Sequence, residues 1–598
     1  MNANFFPLVT ELLRSRALLV FETISESAPI RALKRSRFIK SGGRRIKDLF
    51  FPPSPAARYT RWLRTHLENR ARAYDTELEP GLLSFVSTVW DTPVDFLKPL
   101  AESVLDQRGG RRFEWVVLDN GSTRPETISY LQELGDMPGV RLLKAPENRG
   151  IIGGMRLCLE SATGRYIVPV DSDDLLYPDC ARILTSHIHR SGYPPLLYTD
   201  EDKLVEGHAV LPFFKPDWDP VLFANCCYIA HLCAIDRERG LGLGVYTDPA
   251  TNGSHDWDTF VRFVNAGHVP VHVPEVTYSW RAHPQSTSAN IASKSYIHDS
   301  QRSVLGRWLA AREHPERYRL EPSPLFSGTP DWRIRRLPME PAPLHVVILS
   351  ETAGEADLAL SRLKRIEYPI ESFTAIHPVD GGISRLRECA DALFRDGSFV
   401  AFIDAGATIE GSQWPWESLG IFELFPDTAI VGGRLIEPGG SLVSAGGVLG
   451  FGRSGCESPD RGRPVSESGY FANVWKQRSV SSVSSQFAVA DAGFVKDFLG
   501  ETGPEAGLRF LGAWLGAFAR SRGRRIVYTP FLTASVTEDW EAPVSQEERK
   551  HFLETFGAHI PDYQVYSPHM SLDPSSAYLP ALPEALHRHL KSLFPFST

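Results

Sequence analysis

Cysteine is scarce. Cys158, Cys180, Cys226, Cys227, Cys233, Cys389 and Cys456 are the only seven in 598 residues, an odd total with no C-x-x-C pair. Neither a zinc site nor a disulfide framework is suggested, so a reducing cytoplasm is the expected setting. No apolar run reaches the length of a membrane span. Nor is there a signal-peptide pattern: Ala17-Leu18-Leu19-Val20-Phe21 is a short apolar patch behind Arg14 and Arg16, with no cleavage site following. Positive charge is not in excess. Against 64 basic side chains stand 72 acidic ones, a net charge of −8, which argues against a nucleic-acid binder. The 42% apolar and 23% charged residues are those of an ordinary globular protein, too long for one core, so two or three domains are expected.

The most informative stretch is Tyr166-Ile167-Val168-Pro169-Val170-Asp171-Ser172-Asp173-Asp174, an apolar run of strand length that ends in three crowded carboxylates. Such acids repel unless a cation sits among them, and hard divalent ions prefer oxygen ligands. Alone, the stretch reads better as a solvated acidic loop. Its surroundings favour a site. Leu83 to Val89 and Phe113 to Leu118 read as strands, Val140 to Leu143 as a short one. Val94 to Gln107, Thr127 to Leu134 and a segment from Asn148 through Ser161 read as helices. That alternation predicts an α/β fold with a parallel sheet, whose ligands lie beyond the carboxyl ends of the strands. Asp91, Asp119 and the Asp171 cluster all fall at such ends.

The ordered motifs Thr88-Val89-Trp90-Asp91-Thr92-Pro93, Val116-Val117-Leu118-Asp119-Asn120-Gly121-Ser122, Asn148-Arg149-Gly150 and Gly164-Arg165-Tyr166-Ile167 into Asp171-Ser172-Asp173-Asp174, with Tyr177-Pro178-Asp179, resemble glycosyltransferase family 2, the inverting GT-A enzymes. Tyr198-Thr199-Asp200-Glu201-Asp202-Lys203 and Phe214-Lys215-Pro216-Asp217-Trp218 resemble its branch that builds bacterial surface polysaccharides such as O-antigen, capsule or exopolysaccharide. The resemblance covers residues 80 to about 312. It implies a Rossmann-like domain that takes a sugar from a UDP- or dTDP-linked donor to a glycan or lipid-linked glycan. Val89, Trp90 and the turn Asp119-Asn120 would hold the base, although many relatives have an aspartate where this chain has Asn120. Asp91, Asn148, Gly150, Ser172 and Arg281 complete the donor-binding set. Asp171 and Asp173 would hold Mn²⁺ or Mg²⁺ and the ribose, with His283 a further metal or phosphate ligand. In Ser254-His255-Asp256-Trp257-Asp258, which heads a helix from Thr259 to Ala266, Asp256 matches the catalytic base. A first-turn acid is otherwise commonplace. Asp258 points elsewhere and reads as structural. Gly153-Gly154 lacks G-x-G-x-x-G spacing, so close helix packing explains it better. His231 reads as a core or acceptor-pocket histidine. Val271 to Pro274 reads as a strand, and Tyr278 to Ser288 as a segment closing over the diphosphate.

After a linker, the order restarts. His345 to Ser350 reads as a first strand, and Phe399-Val400-Ala401-Phe402-Ile403-Asp404-Ala405-Gly406-Ala407 repeats the acid stretch with its later acids gone. Gly523 to Pro530 parallels Gly267 to Pro274. Phe510 to Leu515 offers no acid where Asp256 should recur, and Glu538-Asp539-Trp540 falls after the last strand, a decoy. The expected organisation is therefore two tandem GT-A domains, catalytic at 79–315 and degenerate at 344–560. Around them lie a helical and basic extension (1–78), a linker (316–343) and a wrapping tail (561–598) with a helix from Glu584 to Leu593. Residues 31–51, basic and apolar by turns, could contact the inner face of an anionic membrane or form a solvated arm. A homodimer is compatible with the second domain's lost site. The competing reading is a non-catalytic glycan- or nucleotide-sugar-binding scaffold. A nucleotidyltransferase would want a glycine-rich phosphate loop, which Val86 to Pro93 does not supply.

Overall fold

The computed structural model describes residues 54–582 except 111, 284–294, 327–330, 378–381, 396, 502–505 and 541–543. The basic segment 31–51, the stretch from Pro284 to Ser288 and the helix expected from Glu584 lie outside the described residues.

Strands Leu83–Val89 (β1), Glu114–Asp119 (β2), Val140–Lys144 (β3) and Tyr166–Pro169 (β4) form a parallel half-sheet in the order β3-β2-β1-β4. Phe85, Val86, Trp115, Val116, Val117, Ile167 and Val168 are all buried, as expected of strands covered on both faces. The pairing of Val89 with Asp119 brings the ends of β1 and β2 level, and the acid stretch leaves β4 beside them. The sheet is not parallel throughout. Leu175–Leu176 (β5), Leu196–Val205 (β6), His208–Phe213 (β7), Cys233–Asp236 (β8) and Val271–Arg281 (β9) extend it as β8-β6-β9-β5, with β7 on the side of β6. β8 runs antiparallel to both β4 and β6. It is reached from the β6–β7 hairpin without a long crossover helix, so the chain re-enters the sheet reversed. β9 is longer than the sequence suggests: Tyr278 to Arg281 end the strand.

Helix α1 (Pro55–Ala73) is integral to the fold. Tyr59, Trp62, Leu63 and Arg70 are buried against Phe214 and Val276 of the first domain and Tyr566, Met570 and Leu572 of the tail. Helices α2 (Val94–Leu105), α3 (Pro125–Gly135), α4 (Gly150–Ser161), α5 (Cys180–Arg190) and α6 (His255–Asn265) accompany the first sheet. The expected linker is structured too. Tyr318–Pro322 (β10) and Trp332–Arg336 (β11) pair antiparallel. Buried Arg336 donates to Glu423 at 2.8 and 2.9 Å and to Met339 O at 2.6 Å, fastening the hairpin to helix α7 (Trp414–Leu424).

The second sheet contains Leu344–Leu349 (β12), Ile370–Ile376 (β13), Phe399–Asp404 (β14), Thr408–Ile409 (β15) and Thr428–Ile436 (β16). After the short Leu442–Ser444 (β17), Val448–Leu449 (β18), Cys456–Glu457 (β19) and Arg478–Val480 (β20) come Phe487–Asp491 (β21) and Arg525–Ser535 (β22), the last preceded by helix α8 (Leu511–Ser521). Its order, β13-β12-β14-β21-β16-β22-β15, matches β2-β1-β4-β8-β6-β9-β5 strand for strand. Every pair keeps the same parallel or antiparallel sense. The scaffold is present twice. One continuous apolar core includes Val86, Tyr198 and Trp257 from the first copy and Val346, Trp414 and Phe487 from the second, so the copies are packed together.

Candidate functional site

The acid stretch separates into two exposed carboxylates and one buried anchor. Asp174 is fully buried, accepting from Tyr278 Oη at 2.6 Å and from the Arg281 backbone N–H at 2.7 Å. Burial first, then Asp171 and Asp173, hold its pKa well above the usual carboxylate range. This anchor ties the acid loop to the end of β9. Asp173 keeps its carboxylate in the cleft, with Oδ2 at 2.8 Å from His283 Nε2, while its carbonyl accepts from Arg281 Nε at 2.6 Å. The Asp171 side chain is 53% exposed yet sits among protein groups, 3.9 Å from His231 Nε2. Partial loss of water raises its pKa, Asp173 and Asp256 add to the rise, and His231 opposes it. Arg281 lies 5.0 Å from the Phe96 ring, and its Nη2 is buried with no hydrogen-bond partner among the described residues. A buried guanidinium N–H without a protein acceptor suits an anionic ligand. Asp173 and His283 pair at 2.8 Å and offer one oxygen and one nitrogen donor; the described residues do not bring Asp171 into a three-ligand cluster with them.

The ends of β1 and β2 are arranged differently from expectation. Trp90 is 56% exposed, an aromatic face open to a stacking partner, whereas Val89 is fully buried. Val89 O accepts from Asn120 N at 2.8 Å, so neither the side chain nor that carbonyl is presented to a ligand. Asp91 is not open either. Held at φ 51°, it accepts from Thr123 N, Thr123 Oγ1 and Arg124 N at 2.7 to 2.8 Å, fastening β1 to the start of α3. The Arg124 N–H is the largest cause of its lowered pKa. Asn120 spends its amide inwardly, donating to Asn148 Oδ1 and Gly150 O and accepting from Arg149 N at 3.1 to 3.2 Å. Asn148 in turn accepts from Gly150 N at 2.8 Å. Asn120, Asn148 and Gly150 are therefore joined to one another across the loop that starts α4. Asp119 caps its own turn through Ser122 N at 2.9 Å, and Ser172 Oγ lies 2.8 Å from Thr92 Oγ1. At Gly154 a Cβ would come within 2.6 Å of Thr88 Cγ2, which explains the glycine by helix packing.

Asp256 lies in the first turn of α6, partly exposed, with Oδ1 3.5 Å from His255 Nε2. It raises the pKa of Asp171, so the two carboxylates share one electrostatic environment. Asp258, two residues on, is buried and paired with Arg262 at 2.7 Å and with Arg307. A cavity of about 510 Å³ opens between α4 and the loop leading to α6, lined by Arg149, Ile152, Arg156, Tyr246, Thr247 and Asn252 among others.

His231 is the residue whose place the sequence did not reveal. Its ring packs near Tyr278 and Trp280, with centroids 5.4 and 5.9 Å away, and faces Asp171. Its backbone is clamped from both sides: the N–H donates to Glu201 Oε2 at 2.6 Å, and the carbonyl accepts from Lys215 Nζ at 2.6 Å. Asp200, Glu201, Asp202 and Lys215, conspicuous in sequence, are all buried supports.

Strand register aligns the two copies. Tyr166 pairs with Asp236 in the first sheet and Phe399 with Asp491 in the second, so Asp404 stands where Asp171 stands and Gln486 where His231 stands. Gln486 Nε2 donates to Asp404 at 3.0 Å and to Glu538 O at 3.0 Å, closing the position with internal hydrogen bonds. The counterpart of α6, helix α8, is pressed onto the segment before Gln486: a Cβ on Gly512 would lie 2.0 Å from Val483 O, and one on Gly516 2.3 Å from Ser481 O. Asp539 is ion-paired with Arg461. Trp414, Trp416, Trp514 and Trp540 are buried core, not platforms for a sugar.

Residues 86–202 match the family model described as glycosyl transferase family 2. Among curated relatives, protein y4gI of Sinorhizobium fredii is 27% identical over 487 residues, covering 75% of this chain and 52% of its own length. The O-antigen biosynthesis protein RfbC of Myxococcus xanthus is 24% identical over 438 residues, covering 67% of this chain and 33% of its own. This chain thus spans about half and a third of these relatives. Among solved structures, S. aureus TarS 1-349 in complex with UDP is 16% identical with a TM-score of 0.31, covering 38% of this chain and 65% of that one. The same protein with UDP-GlcNAc scores 0.33 at 16% identity, covering 38% and 66%. By its motifs and by the family model over residues 86–202, the first domain of this chain is similar to glycosyltransferase family 2.

Proposed function

We propose that the first domain transfers a sugar, with inversion, from a nucleotide-diphosphate donor to a hydroxyl of a bacterial surface glycan, and that the second domain performs no transfer. The observation that carries this reading is the end of the acid loop, where Asp173 pairs with His283 and its carbonyl accepts from Arg281 Nε, beside Asp171, whose pKa Asp256 helps to raise. The naming of one relative as an O-antigen biosynthesis protein supports the glycan class.

In this reading Trp90 stacks on the base, and the buried Arg281 N–H binds a diphosphate oxygen. Asp171, Asp173 and His283 would hold Mn²⁺ or Mg²⁺, which supplies Lewis-acid neutralisation of the leaving diphosphate. Asp256 takes the proton of the acceptor hydroxyl as its oxygen bonds to the anomeric carbon. The bond to the diphosphate oxygen breaks on the opposite face, and the nucleotide diphosphate leaves with the electron pair.

The test compares variants on a panel of UDP- and dTDP-sugars. Asp256→Asn is expected to lose turnover by about 10²- to 10⁴-fold while retaining donor binding by calorimetry. Asp404→Asn should leave turnover within about twofold. Equal losses in both, or a wild-type chain that binds no nucleotide sugar with Mn²⁺ present, would favour the non-catalytic scaffold.

A further inference from the structure

The residues joining α1, β9 and the tail form a second cluster of metal-ligating side chains. His66 on α1, Glu275 on β9 and His569 in the tail place one ligand atom each within 4.8 Å of one another. Glu275 precedes Arg281 on β9 by six residues, about 20 Å at the usual strand rise, so this cluster is separate from the acid stretch. We propose that His66, Glu275 and His569 bind a structural Zn²⁺ that staples the amino-terminal helix and the carboxyl-terminal tail to the first domain.

Several contacts arrange these side chains as ligands. His569 Nε2 donates to Pro274 O at 2.6 Å, which leaves Nδ1 with its lone pair. A ring nitrogen tied to a carbonyl in this way is the usual second contact of a zinc-bound imidazole. Trp62 stacks on His66 at 4.4 Å and meets His569 edge-on at 5.2 Å, so both rings are fixed and shielded. His66 Nε2 lies 2.7 Å from Glu275 Oε2, bringing nitrogen and oxygen donors together.

Among the described residues the opposing charge is Arg70, with Nη1 3.4 Å from Glu275 Oε2. Its guanidinium is already matched by Asp179 through bonds of 2.5 and 2.9 Å and by Val276 O at 2.6 Å, so Glu275 retains most of its charge for a second cation. Two histidines and one carboxylate, completed by water, suit Zn²⁺ better than Mg²⁺. The cysteines suggest no zinc site because this set uses none. The alternative occupant of the cluster is the His66–Glu275 hydrogen bond alone.

The full-length chain, stripped with EDTA, is titrated with Co²⁺ and then Zn²⁺. We expect about one equivalent of Co²⁺ to give the visible absorption of a four-coordinate site, and Zn²⁺ to displace it. Zn²⁺ should also raise Tm by about 2 to 4 °C, the order expected of a ligand selective for the folded chain. His569→Gln and His66→Gln should lose both signals at unchanged far-ultraviolet circular dichroism, whereas Asp173→Asn should keep them. No absorption in the wild-type chain overturns the site. So does absorption that survives both histidine variants, or that Asp173→Asn abolishes. Should the histidine variants not fold, the wild-type titration and its Tm shift decide alone.

Discussion

In the proposed mechanism Asp171 helps to hold the cation, and its environment also sets a pH dependence. Its raised pKa, caused by partial loss of water and by Asp173 and Asp256, means that it takes up a proton at a higher pH than an isolated aspartate. A protonated carboxyl is a poor cation ligand, so Mn²⁺ affinity should fall on acidification, beginning above the ordinary aspartate range. Asp256→Asn removes one of the raising charges and should move that fall to lower pH. Manganese titrations between about pH 4 and 7 would show the shift, and an unmoved curve would separate the two acids electrostatically.

Asp202 makes the same argument for stability. Burial pushes it up to about 6, against the hydrogen bonds of Ser279, Tyr177 and Tyr59. Because the folded pKa exceeds the unfolded one, its proton stabilises the fold fully below about pH 4, and that contribution is lost as pH rises through about 6. Wild type should therefore gain on Asp202→Asn by on the order of 1 to 3 kcal/mol as pH falls from 7 to 4, measured by urea unfolding of both. The roles of these residues differ in how plainly they show in sequence. Asp171 and Asp173 stand out because clustered acids after an apolar run are chemically costly. Asn120 and Asp91 sit in equally suggestive motifs, yet their partners Asn148, Arg149, Thr123 and Arg124 come from other segments. Only the fold shows that those side chains are already occupied.

At the scale of elements, two glycines set how closely α4 approaches the sheet. A Cβ at Gly154 would meet Thr88 at 2.6 Å, and one at Gly121 would meet the backbone of Glu147 at 2.5 Å at a φ of +77°. Gly154→Ala should cost about 1 to 3 kcal/mol by overpacking, and Gly121→Ala more, since backbone strain adds to the clash. Chemical denaturation would rank them; equal stability of Gly121→Ala and wild type would refute the argument. Strand and helix positions around α4 were legible because apolar periodicity and turn residues are local. The reversal of β8 was not, because strand direction depends on pairing with β4 and β6, which are distant in sequence.

Across the whole molecule, the two copies share one apolar core, and the hairpin between them is anchored by a buried arginine. Removing one partner of such a pair leaves the other uncompensated, so Arg336→Met should destabilise by about 3 to 5 kcal/mol. Calorimetry of the wild-type chain should show the copies unfolding together; separate transitions assignable to each copy would contradict the shared core. No helix among the described residues is long and apolar enough to cross a membrane. The second copy keeps the scaffold with different side chains at the position of the acid stretch. Strand order and sense are retained, while Gln486 occupies the surviving acid and α8 fills the approach.

The sequence by itself determined the α/β class, the tandem repeat, the family likeness of the first domain and the position of its acid stretch. Each of these is written in local order: hydrophobic period, turn chemistry, and carboxylates crowded within a few residues. The tertiary structure alone decided which polar side chains face the cleft and which hold the scaffold. It placed His231 opposite Asp171 and sealed Asp404 with Gln486. It also brought His66, Glu275 and His569 together from positions hundreds of residues apart. The reason is physical: a polar side chain is free for a ligand only if no other segment has satisfied it, and that depends on long-range packing.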